Sequence, residues 1–268
     1  MHIARAPVIS ITTDYGQSDG YVGAVKGVLL RICPQARLVD ITHLVPPQDV
    51  FAGALILRQA APFFPEGTIH LAVVDPGVGT SRRAVAVSCP SGVFVGPDNG
   101  LFSGVISSDG AGVLAVELNR PQYWLPGVSA TFHGRDIFAP VAAHLAAGVP
   151  LQDVGDPIAA ESLVRLPWPA PARRGPRLNG EVIHVDHFGN LITNVQARDF
   201  TDAAADRVYL GDRDLGPLSS TFGDAEPGEP VTYVGSTALL EIAVVNGSAA
   251  AVYGADRGTP VAVGLREA

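Results

Sequence analysis

The chain has 268 residues, of which 47% are apolar and 16% charged, and its formal net charge is −8. This length and apolar content suffice for one large domain or two smaller ones with sizeable cores. The acidic balance argues against nucleic acids and anionic membranes as partners, because both require clustered Lys and Arg side chains.

The hydropathy of the chain indicates neither a targeting signal nor a membrane span. The first ten residues include Arg5 and Pro7, which is unlike a secretory signal. No apolar run approaches the roughly 20 residues of a membrane helix. Cys33 and Cys89 lack metal-ligand spacing and are expected to be buried and inert. We therefore expect a soluble, cytoplasmic protein.

Short apolar strands alternate with helical stretches from residue 8 to about 165. The predicted strands are 8–12, 37–41, 68–74, 84–88 and 93–95. The predicted helices, indicated by apolar residues three or four positions apart, are 19–32, 48–61 and 137–147. This alternation predicts an α/β domain with a mainly parallel sheet and helices on its faces.

A proline-rich linker, residues 167–178, separates this part of the chain from the rest. Its run from Pro167 to Pro176 contains too much proline for a helix or a central strand. Beyond it, short strand-like runs are separated by Gly, Asp and Pro turns, and no long helix is predicted. The sequence thus predicts an α/β domain over residues 1–166 and a smaller all-β barrel domain over 179–268.

Three polar segments follow or interrupt apolar runs of the first domain: 13–16 (TDYG), 74–83 (VDPGVGTSRR) and 131–136 (TFHGRD). Asp14 and Asp75 both come just after a predicted strand. Ligands of α/β sheets bind at the carboxyl ends of strands, so we expect these segments to meet at one edge. An acid, a guanidinium and an imidazole at that edge could hold and polarise a nucleophilic water without a metal.

Several motifs leave other interpretations open. Residues 77–82 superficially resemble a phosphate loop, but they lack the Gly-Lys-Ser/Thr ending, which excludes a nucleoside-triphosphate site. Residues 98–100 and 246–247 are typical of turns. Glu241 interrupts an apolar strand, facing either solvent or a site. A zinc, iron or manganese site is conceivable from residue type alone, at His133, Asp14, Asp186 and His187.

Taken together, the segments resemble one family, the S-adenosylmethionine (SAM) hydroxide adenosyltransferases, or adenosine-forming SAM hydrolases, relatives of fluorinase and chlorinase. The resemblance covers almost the whole chain. The segments that carry it are 13–16, 63–68, 75–80, 96–101, 131–136, 186–190 and 240–244. It implies an N-terminal α/β domain, a C-terminal β-barrel and a homotrimer whose active sites lie between the N-domain of one subunit and the C-domain of the next.

The resemblance also implies an activity, the hydrolysis of SAM to adenosine and L-methionine without metal or cofactor. Asp75, Arg82 and His133 match the residues that hold the attacking water in this family. That water would attack C5′ of the ribose and expel the methionine sulfur. A sulfonium is already an activated leaving group, so the enzyme mainly has to deliver an aligned nucleophile.

Substrate contacts are implied in both domains. Asp14 matches a ligand of the ribose hydroxyls, Asp186 a ligand of the methionine ammonium and Ser236 a ligand of its carboxylate. The remaining positions implied to contact the substrate are Phe132 near the sulfonium, Gly134, Glu241, Val244 and, around the adenine, Phe188, Asn190, Phe222 and the backbone near Asn246.

Three other functions compete with metal-free hydrolysis. The fluorinase has a Tyr at position 75 and a Tyr-Ser pair at 133–134, and a carboxylate at Asp75 would repel chloride, which disfavours a halide-using SAM transferase. A non-catalytic SAM- or nucleoside-binding protein would keep Asp14, Asn190 and Ser236. It would not need Asp75, Arg82 and His133 together. A metal-dependent hydrolase would lose its activity in EDTA.

Two further departures from the fluorinase concern substrate binding. Gln48 stands where the fluorinase has a Trp near the ribose, and Thr237 replaces an Arg near the methionine carboxylate. Both positions bear on how this chain would hold SAM.

Overall fold

The computed structural model describes residues 6–109, 112–200 and 205–266. The chain divides into two compact units between Leu166 and Pro167. Each unit has its own sheet, and the hydrophobic core forms two clusters in the first unit and one in the second. In the described ranges, no helix combines the length and the apolar character needed to cross a bilayer.

The first unit contains a seven-stranded sheet in the order β2-β1-β3-β5-β4-β6-β7. Its strands are β1 (Val8–Thr13), β2 (Arg37–Thr42), β3 (Ile69–Val73), β4 (Ala84–Cys89), β5 (Gly92–Pro97), β6 (Leu114–Glu117) and β7 (Asp156–Ile158). Its helices are α1 (Tyr21–Ile32), α2 (Val50–Ala60), α3 (Ser103–Asp109) and α4 (Ala139–Ala146). Helices α1 and α4 pack together on one core, and α2 and α3 on the other.

This sheet is mixed, so the prediction of a mainly parallel sheet is not confirmed. β1 pairs in parallel with β2 and β3, and β3 pairs in parallel with β5. The β4–β5, β4–β6 and β6–β7 pairs are antiparallel. Only Pro90 and Ser91 separate β4 from β5, and so short a connection permits only an antiparallel hairpin.

The second unit is built on an antiparallel sheet in the order β12-β11-β15-β9-β10-β14-β13, with β8 beside β9. Its strands are β8 (Ala172–Arg174), β9 (Arg177–Val185), β10 (Leu191–Gln196), β11 (Ala205–Leu210), β12 (Arg213–Asp214), β13 (Pro230–Val234), β14 (Leu239–Val244) and β15 (Pro260–Leu265). A short α-helix, α5 (Ala249–Tyr253), accompanies them.

The predicted barrel is present only as a half-barrel. The long strand β9 pairs with β15 through its first part and with β10 through its second, and the sheet curls. Among the described residues, the terminal strands β12 and β13 are not paired with each other, so the sheet does not close. Closure requires a continuous hydrogen-bonded circuit of strands, which this order does not provide.

Candidate functional site

The carboxyl ends of β1 and β3 open into a cavity of about 700 Å³. Asp14 follows β1 directly, and Asp75 lies two residues beyond β3. The two strands are paired with Thr13 opposite Val73, which brings both carboxylates to the same edge of the sheet. The other walls include Tyr15, Tyr21, Gln48, Val78 and residues 131–135.

At this edge the structure brings Asp75, Arg82 and His133 together. The Arg82 Nε atom donates to the Asp75 carboxylate at 2.9 and 3.0 Å, and Nη2 donates to Asp75 Oδ2 at 2.5 Å. The same Nη2 donates to His133 Nδ1 at 2.9 Å. The Asp75 and Arg82 side chains are 6% and 11% exposed, so this ion pair is largely desolvated. Arg82 therefore contacts each of the other two residues that are predicted to hold a water.

The contact with Arg82 decides which nitrogen of His133 carries a proton. A guanidinium has only donors, so Nδ1 of His133 must accept and the neutral ring carries its proton on Nε2. Burial, and then the positive charge of Arg82, lower the pKa of His133, whereas Asp75 and Asp136 oppose the shift. At neutral pH His133 is thus an uncharged hydrogen-bond donor through Nε2.

The loop from Asp75 to Arg82 can approach His133 because its Gly79 packs against Ala130, which lies just before His133 in the sequence. Gly79 has a φ of +78°, and a Cβ at this position would lie 2.4 Å from the carbonyl oxygen of Ala130. Inside the loop, Thr80 Oγ1 donates to the carbonyl of Gly77 at 2.7 Å. Only a glycine permits so close an approach in this backbone conformation.

His133 stands at the start of a π-helical turn, Gly134–Phe138, that leads into α4. The buried Asp136 in this turn accepts hydrogen bonds from the Ser129 amide at 2.9 Å and from Arg135 Nε at 2.6 Å. Burial opposes ionisation of Asp136, but these hydrogen bonds outweigh it and lower its pKa. Single π-helical turns often occur at functional sites. The sequence predicted a helix only from residue 137.

Aromatic side chains line the cavity next to His133. The Phe132 ring lies 5.7 Å from that of Tyr15 and 5.4 Å from that of Tyr21, both in edge contacts. The Tyr15 hydroxyl lies above Gly134, where a Cβ would be only 2.1 Å from it. Burial and the charges of Asp14 and Asp75 raise the pKa of Tyr15, which stays protonated. From the sequence, no role was assigned to Tyr15, although it lies in segment 13–16, or to Tyr21, because a tyrosine alone carries no catalytic signature.

Asp14 is held at the cavity by its neighbours. Its Oδ2 accepts the amide of Gln48 at 2.9 Å, and Gln48 has a φ of 67°. The preceding residue, Thr13, contacts Nδ1 of the buried His43 through Oγ1 at 2.8 Å. His43 Nε2 lies 3.1 Å from Asp40 Oδ1 without a well-aligned hydrogen bond. Asp14 thus presents a carboxylate with one oxygen already oriented.

In the second unit, Asp186 organises the turn between β9 and β10. Its Oδ1 accepts the amides of Phe188 and Asn190 at 2.9 and 2.8 Å, and its Oδ2 accepts Asn190 Nδ2 at 2.9 Å. Asn190 is consequently oriented with its Oδ1 available for a donor. Phe188 is 74% exposed, which leaves its ring accessible for stacking.

A second carboxylate lies in the same unit. Glu241 on β14 pairs across the sheet with Tyr233, whose hydroxyl donates to Oε2 at 2.7 Å. Burial raises the pKa of Glu241 and the charge of Asp186 adds to the shift, while the hydrogen bond from Tyr233 opposes it. Glu241 lies against Gly235, where a Cβ would be 1.9 Å from Oε1. The centroid of the Phe222 ring lies 4.9 Å from that of Tyr233. The sequence pointed to Phe222 but not to Tyr233.

The other predicted contacts of this unit lie at the ends of β14. Ser236 is exposed in the turn between β13 and β14. Asn246 has a φ of 58° just beyond β14. Val244 is buried in the core of the unit, so its side chain is not accessible and only its backbone could meet a ligand. Across the described ranges, no group of three His, Cys, Asp or Glu side chains is arranged to hold a metal ion.

Comparisons with family models and with individual proteins indicate the same family. The model of the SAM hydroxide adenosyltransferase N-terminal domain matches residues 9–155, and that of the C-terminal domain matches residues 180–262. A Salinispora tropica protein named (R)-S-adenosyl-L-methionine hydrolase is 47% identical over 96% of this chain and 97% of its own. A protein of the same name from Thermus thermophilus is 45% identical over 93% of this chain and 96% of its own.

A solved structure is similar over both units. The crystal structure of an uncharacterized conserved protein from Thermotoga maritima has a TM-score of 0.88 and 37% identity. The match covers 95% of this chain and 99% of the other. The two domain models together span more than half of the sequence, in the order in which the two units occur. The chain therefore belongs to the SAM hydroxide adenosyltransferase family.

Proposed function

We propose that this protein hydrolyses SAM to adenosine and L-methionine, using a water held by Asp75, Arg82 and His133. The observation that carries the proposal is the contact among these three side chains at the edge of a cavity. The names of the relatives that are 45% and 47% identical support the same reaction. A protein that only binds a nucleoside would not need this desolvated group.

The geometry suggests a role for each of the three side chains. Arg82 orients the Asp75 carboxylate, which accepts a proton from the water as the oxygen attacks C5′. His133 donates from Nε2 to a lone pair of that oxygen and so aligns it. The O–C5′ bond forms while the C5′–S bond breaks, and its electron pair neutralises the sulfonium to give the thioether of methionine. No proton has to be delivered to the leaving group.

The substrate contacts are divided between the two units. We assign the water and the ribose to the first unit. Asp75, Arg82 and His133 hold the water, and Asp14 binds the ribose. The electron-rich faces of Phe132 and its neighbours suit the sulfonium cation. To the second unit we assign adenine, at Phe188, Asn190, Phe222 and the backbone near Asn246 and Val244. The methionine end is assigned to Asp186, Glu241 and Ser236.

We further propose a homotrimer in which the first unit of one subunit and the second unit of the next complete each active site. What supports this proposal is the family to which the chain belongs, since that resemblance implies a homotrimer with active sites between neighbouring subunits. A cytoplasmic location would give this assembly access to SAM. Chromatography coupled to light scattering would measure the mass of the assembly directly.

The protonation state of His133 leads to a prediction about pH. A proton added to Nδ1 would face the Arg82 guanidinium, so only the neutral ring supports the observed contact. Because the pKa of His133 is lowered, kcat/KM should be constant near neutrality and fall only in acid. We expect a midpoint below the ordinary histidine value of about 6.5. A profile that rises with acidification would contradict the neutral-imidazole assignment.

Removal of the Asp14 carboxylate tests the ribose assignment. In Asp14→Ala we expect SAM affinity to fall by about 10- to 100-fold, since a charge-assisted hydrogen bond contributes roughly 1.5–3 kcal/mol. Isothermal titration calorimetry in the Asp75→Asn background, where turnover is slow, would measure this affinity. The matched control is Asp49→Ala, which removes a carboxylate that caps α2. Unchanged affinity in Asp14→Ala would reject the assignment.

A product assay tests the function itself. Purified protein is incubated with SAM, with and without EDTA and chloride, and products are followed by chromatography and mass spectrometry. Adenosine and methionine in equal amounts under all conditions, with oxygen-18 from labelled water in the 5′-hydroxyl, are the expected result. 5′-Chloro-5′-deoxyadenosine would identify a halogenase, loss of activity in EDTA a metal enzyme, and binding without turnover a binding protein.

A further inference from the structure

The segment after β5 contacts both ends of the loop that carries Asp75 and Arg82. Its residues Asp98 and Asn99 have the sequence of an ordinary turn, yet both side chains are engaged with that loop. We propose that Asp98 and Asn99 are positioning residues that fix the Asp75–Arg82 pair in its water-holding geometry. The proposal rests on the proposed hydrolase function.

Asn99 acts on the first end of the loop. Its Nδ2 donates to the carbonyl oxygen of Val74 at 2.8 Å, and its Oδ1 accepts the amide of Leu101 at 3.2 Å. Val74 is fully buried, so its carbonyl cannot turn to water without a cost. The peptide plane between Val74 and Asp75 sets the direction of the Asp75 side chain. Asn99 thus fixes the plane from which the carboxylate extends.

Asp98 acts on the second end. Its side chain is 4% exposed and accepts Arg83 Nε at 2.9 Å and Nη2 at 2.7 Å through Oδ2. Its Oδ1 accepts the amide of Val164 at 2.8 Å, and its own amide donates to the Arg83 carbonyl at 3.0 Å. Both the backbone and the side chain of Arg83 are therefore held. Arg83 directly follows Arg82, whose guanidinium contacts Asp75 and His133.

Together the two contacts hold the loop at residues 74 and 83, where it leaves β3 and enters β4. The loop's own hydrogen bonds, such as that from Val78 to the Asp75 carbonyl, do not fix its orientation relative to the sheet. Catalysis by positioning is sensitive to this orientation, since a displacement of about 1 Å can cost roughly 100-fold in rate. Neither Asp98 nor Asn99 lines the cavity, so each acts through another residue.

The kinetic test is a double-mutant cycle on Asn99. In Asn99→Asp a carboxylate oxygen replaces the donor that faces the Val74 carbonyl, while Oδ1 is kept for Leu101. We expect kcat to fall at least 10-fold and KM to change less than about 3-fold, with little further loss when the variant is added to Asp75→Asn. Equal losses in both backgrounds would show a merely structural role. Asn119→Asp, at an exposed amide–carboxylate contact with Asp156, is the matched control and should keep wild-type kcat.

A second readout does not depend on turnover. Nuclear magnetic resonance of ring-labelled histidines, with the His133 signal assigned by its loss in His133→Ala, follows the tautomer and the titration of this ring. In Asn99→Asp and Asp98→Asn, displacement of Arg82 from Nδ1 should move the pKa of His133 upward, towards its ordinary value. An unchanged titration in both variants would overturn the positioning proposal even if SAM hydrolysis is confirmed. Failure of wild-type protein to hydrolyse SAM would instead overturn the proposed function.

Discussion

Asp75→Asn is expected to lower kcat for SAM hydrolysis by about 1000-fold, within the 10²–10⁴-fold range typical of a positioned general base. The substitution keeps the size of the side chain and one carbonyl acceptor for Arg82, so the loop should stay in place. It removes the group that accepts the proton of the water. SAM affinity should change little, because Asp75 is assigned to the nucleophile and not to the substrate.

The measurement pairs single-turnover kinetics with calorimetry on the same preparation. Asp156→Asn is the control, since it makes the same change in an exposed ion pair with Arg120 and should retain wild-type turnover. Near-normal turnover in Asp75→Asn would eliminate the proton-acceptor role. A large loss of SAM affinity with unchanged kcat would show that Asp75 binds the substrate and does not activate the water.

Much of the site was predictable because of how its strands are paired. Parallel strands bring their carboxyl ends to one edge, so Asp14 and Asp75 were expected at the same edge once β1 and β3 were recognised. That they are neighbours there follows from the direct pairing of β1 with β3. The second half of the sheet was harder to predict. The β4–β5 hairpin has a connection of only two residues, which makes the pair antiparallel. The apolar runs by which the strands were predicted do not indicate whether neighbouring strands are parallel or antiparallel.

Contacts that depend on packing could not be predicted. The proton position on His133 follows from a 2.9 Å contact with Arg82, 51 residues away in sequence. The sequence around Asn99 is typical of a turn, and only the structure shows that its side-chain amide donates to the carbonyl of Val74, the residue before Asp75. A role for Tyr233 is indicated only by its position opposite Glu241 in the antiparallel β13–β14 pair. Each of these roles is set by register and distance, which single residues do not encode.

Arg82→Met should be both inactive and strongly destabilised. Arg82 lies between two partners, and its removal leaves the buried Asp75 carboxylate without a counter-ion. Breaking a buried ion pair from one side typically lowers the free energy of unfolding by about 3–5 kcal/mol. Urea denaturation would measure this loss as a lower midpoint at an unchanged slope. Arg120→Met, which breaks an exposed pair, should cost no more than about 1 kcal/mol.

The double variant Asp75→Leu/Arg82→Met separates stability from catalysis. With both charges removed, no buried carboxylate remains unpaired, and apolar side chains can pack beside Phe138, whose ring lies 5.1 Å from the Arg82 guanidinium. We expect it to recover at least half of the stability lost in Arg82→Met while remaining inactive on SAM. Such recovery would mean that the ion pair is kept for water activation and not for folding. If the double variant were as unstable as Arg82→Met, the pair would instead be needed to hold the loop itself.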